Sequence, residues 1–257
     1  PHTPTPPHPH TPTPLPLSPS SMENPATSEL NLGDFKDEPI AHLMQELCTP
    51  LTNIKTALKL LESPLLKQAQ RQRYLGLIRG ECDRQTLLIS GVTRLLAIDR
   101  PPNPSEIVPI QLSQIIPGIV STYQPLAQEK GVRLGYTVAD DLPTIIFVET
   151  WLRQIAIDLL HNGIKYTPEG GQVFVKASVQ GEYVQLEFRD TGIGIPPAEI
   201  PKIFDRFYRV RSLPNDRGAG LGLTIVQNIL LRCGGSISAI SQVGSGSKFR
   251  VLLPTRG

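Results

Sequence analysis

Asp190-Thr191-Gly192-Ile193-Gly194-Ile195 and, further on, Gly218-Ala219-Gly220-Leu221-Gly222-Leu223 decide how this chain reads. Each glycine cluster permits positive φ and close approach of the backbone to a ligand. The second cluster runs directly into Thr224-Ile225-Val226-Gln227-Asn228-Ile229-Leu230, whose apolar spacing is helical. A glycine loop feeding a helix N-terminus offers free N–H groups and a positive dipole end to phosphate. An aspartate beside glycines accepts a hydrogen bond from an exocyclic amine such as that of adenine. Between the clusters lie Phe204-Asp205-Arg206-Phe207-Tyr208-Arg209 and a basic, proline-containing loop. The stretch therefore reads as a nucleotide clasp with a mobile flap between its halves. It is not a Rossmann turn, because the second cluster is G-x-G-x-G and Pro214-Asn215-Asp216-Arg217 before it makes no buried strand. No G-K-[ST] is present, which excludes a P-loop.

Working outward, residues 149–166 read as a helix whose core side carries Leu152, Ile155, Leu159 and Leu160. Asp158, Asn162 and Lys165 share another face at i, i+4 and i+7. A carboxylate, an amide and an ammonium in one line suit Mg²⁺ and phosphate, with oxygen ligands for a hard cation and a cation for the charge. Around this helix, residues 112–130 read as a helix weakened by Pro117 and Pro125, and residues 132–138 as a strand. Residues 172–179 and 183–189 form one strand hairpin, and residues 236–242 and 247–253 another. Hairpin strands with helices on one face make a two-layer α+β domain.

Upstream, Ile40, Met44, Leu47, Leu51, Ile54, Leu58 and Leu61 repeat with 4-3 spacing, a heptad seam on a long helix. A second seam runs through Leu75, Ile78, Cys82, Gln85, Ile89, Val92 and Leu96. Ser63-Pro64 and Pro101-Pro102-Asn103-Pro104 terminate the two helices. They make an antiparallel hairpin, and the extra apolar Leu77, Leu88 and Leu95 exceed what one hairpin buries, so a homodimeric four-helix bundle is expected. Pro50 interrupts the first helix, where an interior proline costs about 3 kcal/mol. Residues 1–34 begin with a Pro/Thr/His repeat and read as a disordered tail. The net charge of +2 gives no argument for nucleic acid. Three cysteines, Cys48, Cys82 and Cys233, include no C-x-x-C pair, which favours a reducing, cytoplasmic setting. Cys48 and Cys82 fall at similar heights on the hairpin, where a redox switch is conceivable. No apolar run is long enough to span a bilayer.

These residues resemble the transmitter of two-component sensor histidine kinases, most closely the cyanobacterial type. Asp158-Leu159-Leu160-His161-Asn162-Gly163-Ile164-Lys165-Tyr166-Thr167-Pro168 resembles the asparagine box. Residues 190–195 resemble the first glycine box, 204–209 the phenylalanine box, 218–223 the second glycine box, and Gly244-Ser245-Gly246-Ser247 the third. The resemblance implies a dimerising hairpin over residues 35–100. It implies, over residues 105–257, an ATP-binding α/β sandwich of the gyrase/Hsp90/histidine kinase/MutL type. By the same resemblance Asp190 holds the adenine amine. Asn162, with Asp158, serves Mg²⁺, and Lys165 and the 218–223 backbone serve the phosphates. Tyr166, Gly192, Gly194, Ile195, Phe204, Phe207 and Ser247 complete the ATP-binding boxes, with Gly218, Gly220, Leu221, Gly222 and Leu223 in the second glycine box. Residues 196–217 would be a lid, with Arg206, Arg209, Arg211 and Arg217 near the γ-phosphate.

The chain departs from the family at two positions. The histidine box reads Gln45-Glu46-Leu47-Cys48-Thr49-Pro50-Leu51, so glutamine stands where the phosphoacceptor histidine is found. The asparagine box begins with Asp158 in place of asparagine. Three functions follow: an ATP-binding transmitter with a degenerate acceptor, a phosphatase of a partner response-regulator receiver domain acting through Glu46 and Thr49, or a non-catalytic nucleotide-binding dimer.

Overall fold

The computed structural model describes residues 37–210 and 218–255, with side chains from residue 43 onward. The 1–34 tail, Ile40, Arg211 and Arg217 lie outside those described side chains.

Helix α1 (Asp37–Leu61) and helix α2 (Gln68–Ile98) form a hairpin. Pro50 is retained inside α1. Lacking an N–H, it cannot donate to the Glu46 carbonyl four residues earlier. In the same turn, Gln85 of α2 donates from Nε2 to the Leu47 carbonyl at 2.8 Å. Beside it, Arg84 pairs with Glu46 at 2.6 Å. Gln85, the polar residue of the second seam, thus ties α2 to the backbone of α1.

The two seams are only partly covered within the hairpin. Leu47, Ile54, Leu61, Ile78 and Val92 are partly buried, but Met44, Leu51, Leu58, Leu75, Ile89 and Leu96 are exposed. With the exposed Cys82 included, the exposed set recurs every seven residues on each helix, so half of each seam faces outward. The fully buried hairpin residues are instead Pro50, Ala57, Leu88, Gly91, Leu95 and Ile98. Leu88 and Leu95, which read as surplus, belong to the core.

The rest is a two-layer α+β unit. Strand β1 (Ile107–Ile110) pairs antiparallel with β3 (Ile145–Val148), matching Ile107 to Val148. Helix α3 (Leu112–Glu129) runs unbroken through Pro117 and Pro125. Its buried Leu112, Ile116, Ile119, Val120 and Ala127 explain this, since burying each large apolar side chain contributes about 1.5–3 kcal/mol. Strand β2 (Arg133–Thr137) follows, then helix α4 (Glu149–Tyr166), strands β4 (Gln172–Gln180) and β5 (Tyr183–Asp190), helix α5 (Gly222–Arg232), and strands β6 (Ser236–Gln242) and β7 (Gly246–Pro254). The five-stranded sheet has the order β2-β4-β5-β7-β6. Only β2–β4 is parallel; the other pairs are antiparallel.

Alternation sets the two faces of this sheet. Val173, Val175 and Ala177, then Val184, Leu186 and Phe188, then Phe249, Val251 and Leu253 point into the core beneath the helices. The residues between them are less buried and mostly polar, Phe174 and Leu252 excepted, and Glu187 pairs there with Arg250 at 3.1 Å and Lys248 at 3.5 Å. The strands β1 and β3 were not anticipated, because each has four residues and β1 contains Pro109. Helix α2 lies against α5, which brings the hairpin to the edge of this unit.

Candidate nucleotide site

Asp190 ends the inward row Val184, Leu186, Phe188, so the alternation that builds the core also delivers a carboxylate to it. The residue is only 7% exposed. Its Oδ1 accepts from the Gly192 N–H at 2.8 Å and the Ser247 N–H at 3.1 Å. Burial raises the carboxyl pKa, and these two backbone donors partly offset it. With Oδ1 so held, Oδ2 remains to meet a ligand donor. Gly246, at φ +95°, makes this possible: a Cβ there would meet the Asp190 carbonyl oxygen at 2.1 Å. The third glycine cluster thus lets β7 press against Asp190.

The first cluster is held just as tightly. Gly194 has φ +72°, and a Cβ on it would strike the Gln242 carbonyl at 2.0 Å. Ser241 ties the first and third clusters together, a role no motif pointed to. Its hydroxyl accepts from the Ile195 N–H at 2.8 Å, donates to the Gly246 carbonyl at 2.9 Å, and lies 2.9 Å from the Ser247 hydroxyl.

A cleft runs from Asp190 to the second glycine cluster. Asp158, Asn162, Lys165, Tyr166, Asp190, Gly194, Ile195, Arg209, Gly218, Gly220, Leu221, Gly222, Leu223 and Ser247 line it. Gly192 serves by its N–H to Asp190. Phe204, Arg206 and Phe207 are not in its lining. The Phe204 carbonyl accepts from the Thr224 hydroxyl at 2.9 Å, and the Phe207 N–H donates to the Gly220 carbonyl at 3.0 Å. Phe207 has φ 63°, a conformation that costs a non-glycine residue about 1 kcal/mol or more. Both phenylalanines therefore anchor residues 204–207 to α5 and its glycine loop. Arg206 is exposed. Tyr208, which donates its hydroxyl to Glu199, also lines the cleft.

On α4, Lys165 lies over the Tyr166 ring at 4.9 Å, a cation–π contact. The end of this helix is capped by Lys130, whose ammonium donates to the Ile164 and Lys165 carbonyls. Asp158 accepts from Gln154 at 2.7 Å and lies 3.6 Å from Arg94 of α2. Burial pushes its carboxyl up to about 6, and Gln154 and Arg94 hold it from rising further. Asp158 also faces Gly222, at the N-terminus of α5.

Gln45, Glu46 and Thr49 lie elsewhere, on α1. Gln45 is exposed, Glu46 is paired with Arg84, and the Thr49 hydroxyl donates to the Gln45 carbonyl at 2.9 Å. The wall of the cleft that sequence reasoning missed is α2, which contributes Leu87, Gly91 and Arg94. Nothing local marks them, because only the docking of the hairpin places them there.

The donor set fits a purine nucleotide: a buried acceptor at one end, a glycine-lined helix N-terminus and Lys165 at the other. Among the described residues no three His, Cys, Asp or Glu side chains group to hold a metal on their own. A Mg²⁺ carried by phosphates needs only one or two protein oxygens, which Asn162 and Asp158 offer.

Comparison with known proteins agrees with this geometry. Residues 147–257 match the family described as histidine kinase-, DNA gyrase B- and HSP90-like ATPase. Residues 35–100 match the His Kinase A (phospho-acceptor) domain. Fold and cleft agree with both matches, a histidine kinase-like ATPase domain following a phospho-acceptor-type hairpin. Drug sensory protein A of Synechocystis is 32% identical over 87% of this chain and 35% of its own length. Adaptive-response sensory kinase SasA of Synechococcus is 33% identical over 86% of this chain and 60% of its own. The chain thus spans about a third to three-fifths of these relatives. Full-length ShkA, solved in complex with AMPPNP, is 30% identical over 84% of this chain and 45% of its own, with a TM-score of 0.59. ThkA, solved with the response regulator TrrA, shares the fold at a TM-score of 0.68 and 20% identity, over 85% of this chain and 61% of its own. Among the described residues no helix is long and apolar enough to cross a membrane.

Proposed function

We propose that this chain is the ATP-binding transmitter of a two-component sensor histidine kinase whose acceptor position has lost its nucleophile. One observation carries the reading: Asp190, buried, with Oδ1 fixed by two backbone N–H groups at the end of a glycine-lined cleft. Asp190 takes the adenine amine, Asn162 and Asp158 face the Mg²⁺, and Lys165 with the 218–223 backbone receives the phosphates. The hairpin pairs with a second copy through the outward residues Met44, Leu51, Leu58, Leu75, Ile89 and Leu96. The partner downstream is a response-regulator receiver domain, and the setting is cytoplasmic.

The acceptor position decides the chemistry. A histidine offers a nitrogen lone pair and is mostly neutral near pH 7. A glutamine amide nitrogen has given its lone pair to the carbonyl and only donates. Gln45 is exposed on α1, where a phosphoacceptor would be reachable, but it cannot accept the phosphoryl group. Glu46, the neighbouring base, is occupied by Arg84. The protein therefore binds ATP without stable autophosphorylation, and Gln45→His restores acid-labile labelling from γ-labelled ATP. Label on the unmodified protein contradicts the first half. A Gln45→His variant that binds ATP and stays unlabelled contradicts the second. Incubation with a phosphorylated receiver separates the phosphatase reading, which Glu46 and Thr49 serve, from a purely binding role.

A further inference from the structure

We propose that Arg94, carried by the hairpin and not by the ATPase domain, is a contact for the terminal phosphate of a nucleoside triphosphate. The proposal rests on the reading of the cleft as an ATP site. It adds a binding residue from outside the motifs that define that site.

The position of Arg94 follows from packing one turn earlier on α2. Leu87, Gly91 and Arg94 fall at i, i+4 and i+7 and share a face, and all three line the cleft. Gly91 meets Leu221 of the second glycine cluster so closely that a Cβ would lie 2.6 Å from its Cδ1. The glycine lets α2 sit directly on the loop expected to receive phosphate. A second tie lies further along: Arg232 of α5 reaches the Asp99 carbonyl at 3.0 Å and its carboxylate at 3.3 Å. Between these two anchors, Arg94 is directed at Asp158 and the N-terminus of α5.

The guanidinium is under-used there. It has five N–H donors in a planar fork. Nε donates to the Ser90 carbonyl at 3.4 Å, a weak bond. The Asp158 carboxylate stands 3.6 Å from Nη1, an ion pair beyond hydrogen-bond distance. The Arg94 side chain is 40% exposed, against 13% for Asp158. Asp158 in turn lies beside Gly222, where the free N–H groups of α5 begin. A partly exposed fork and a helix N-terminus therefore converge on one place, and a phosphate group there is bound by both. Asp158 holds the arginine in reserve: a terminal phosphate carries more charge than one carboxylate and accepts the fork in full. A nucleoside diphosphate lacks that group and leaves Arg94 on Asp158. Arg94 thus makes the site discriminate between tri- and diphosphate, and it couples nucleotide occupancy to the seat of the hairpin.

Calorimetric titration of the whole chain with Mg·ATP and with Mg·ADP tests this. Arg94→Ala is expected to weaken ATP about tenfold while moving ADP by less than about twofold, the loss of one charge-assisted interaction. Arg94→Lys, which keeps the charge without the fork, recovers part of the ATP preference. Arg232→Ala, which breaks the other tie between hairpin and ATPase domain, leaves the ATP/ADP ratio unchanged. Equal losses for both nucleotides in Arg94→Ala, or no loss for either, overturn the proposal, as does a ratio that shifts equally in Arg232→Ala. Asp190→Ala is read beside them. Retained affinity for both nucleotides in that variant strikes at the adenine assignment, and leaves the Arg94 comparison to stand or fall on its own ratio.

Discussion

The hairpin and the sheet unit use apolar residues in opposite ways. In the sheet unit, Ile155, Leu186, Ile225 and Val251 are fully buried, and every inward row of the sheet meets a helix. In the hairpin, Leu51 is 57% exposed and Ile89 likewise, although both sit on perfect heptad positions. One region is complete within a single chain and the other carries an apolar stripe that its own protomer leaves exposed. The nucleotide cleft lies where they meet, with the complete region supplying its floor and the incomplete region one wall.

Truncation separates the two most sharply. Ile155→Ala is expected to cost about 2–5 kcal/mol in urea unfolding, because it opens a cavity in a packed core. Leu51→Ala is expected to cost the protomer under about 0.5 kcal/mol. Leu51→Glu should abolish self-association in light scattering while circular dichroism stays native, since an exposed position tolerates charge until a partner buries it. If Leu51→Glu unfolds the chain, or leaves its mass in solution unchanged, the contrast drawn between the regions is wrong.

A smaller effect tests the boundary itself. Asp158 has a folded pKa of about 6 against 3.8 for an ordinary aspartate. The folded state therefore holds this proton more tightly than the unfolded state. Between those values stability falls as pH rises, and above the upper one the whole penalty, of order 2–3 kcal/mol, is present. Asp158→Asn should thus stabilise the protein by about 1–3 kcal/mol near pH 8 and much less near pH 4. Equal gains at both pH values would rule out charge burial as the cause.

The mildest contrast is in thiol reactivity. Cys48 and Cys82 are exposed on the hairpin, and the cross-hairpin contacts Glu46–Arg84 and Leu47–Gln85 set them at a similar level. Cys233 follows α5, and burial pushes its thiol up to about 11, with Arg232 opposing. Alkylation followed by mass spectrometry should modify the exposed Cys48 and Cys82 first and the partly buried Cys233 more slowly. Rapid labelling of Cys233 would mean that the end of α5 opens. Unchanged mobility on non-reducing gels after mild oxidation would dispose of a Cys48–Cys82 switch.

By itself the sequence determined what is local. Periodicity of 3.6 placed α4 at Glu149–Tyr166, and alternation placed the hairpins β4–β5 and β6–β7. The glycine clusters marked both ends of the cleft, because positive φ and close backbone approach are demands that single residues must meet. Tertiary structure alone decided what depends on distant partners. Strands β1 and β3 are too short to show a period, and exist because they pair with each other. The identical spacing of Leu47 and Leu51 could not say which is covered, since a heptad names a stripe and not its neighbour. Ser241 joins two glycine clusters only once β6 lies beside β7. Arg94 reads as an ordinary charge on a helix until Gly91 admits Leu221, and only that contact brings it to Asp158.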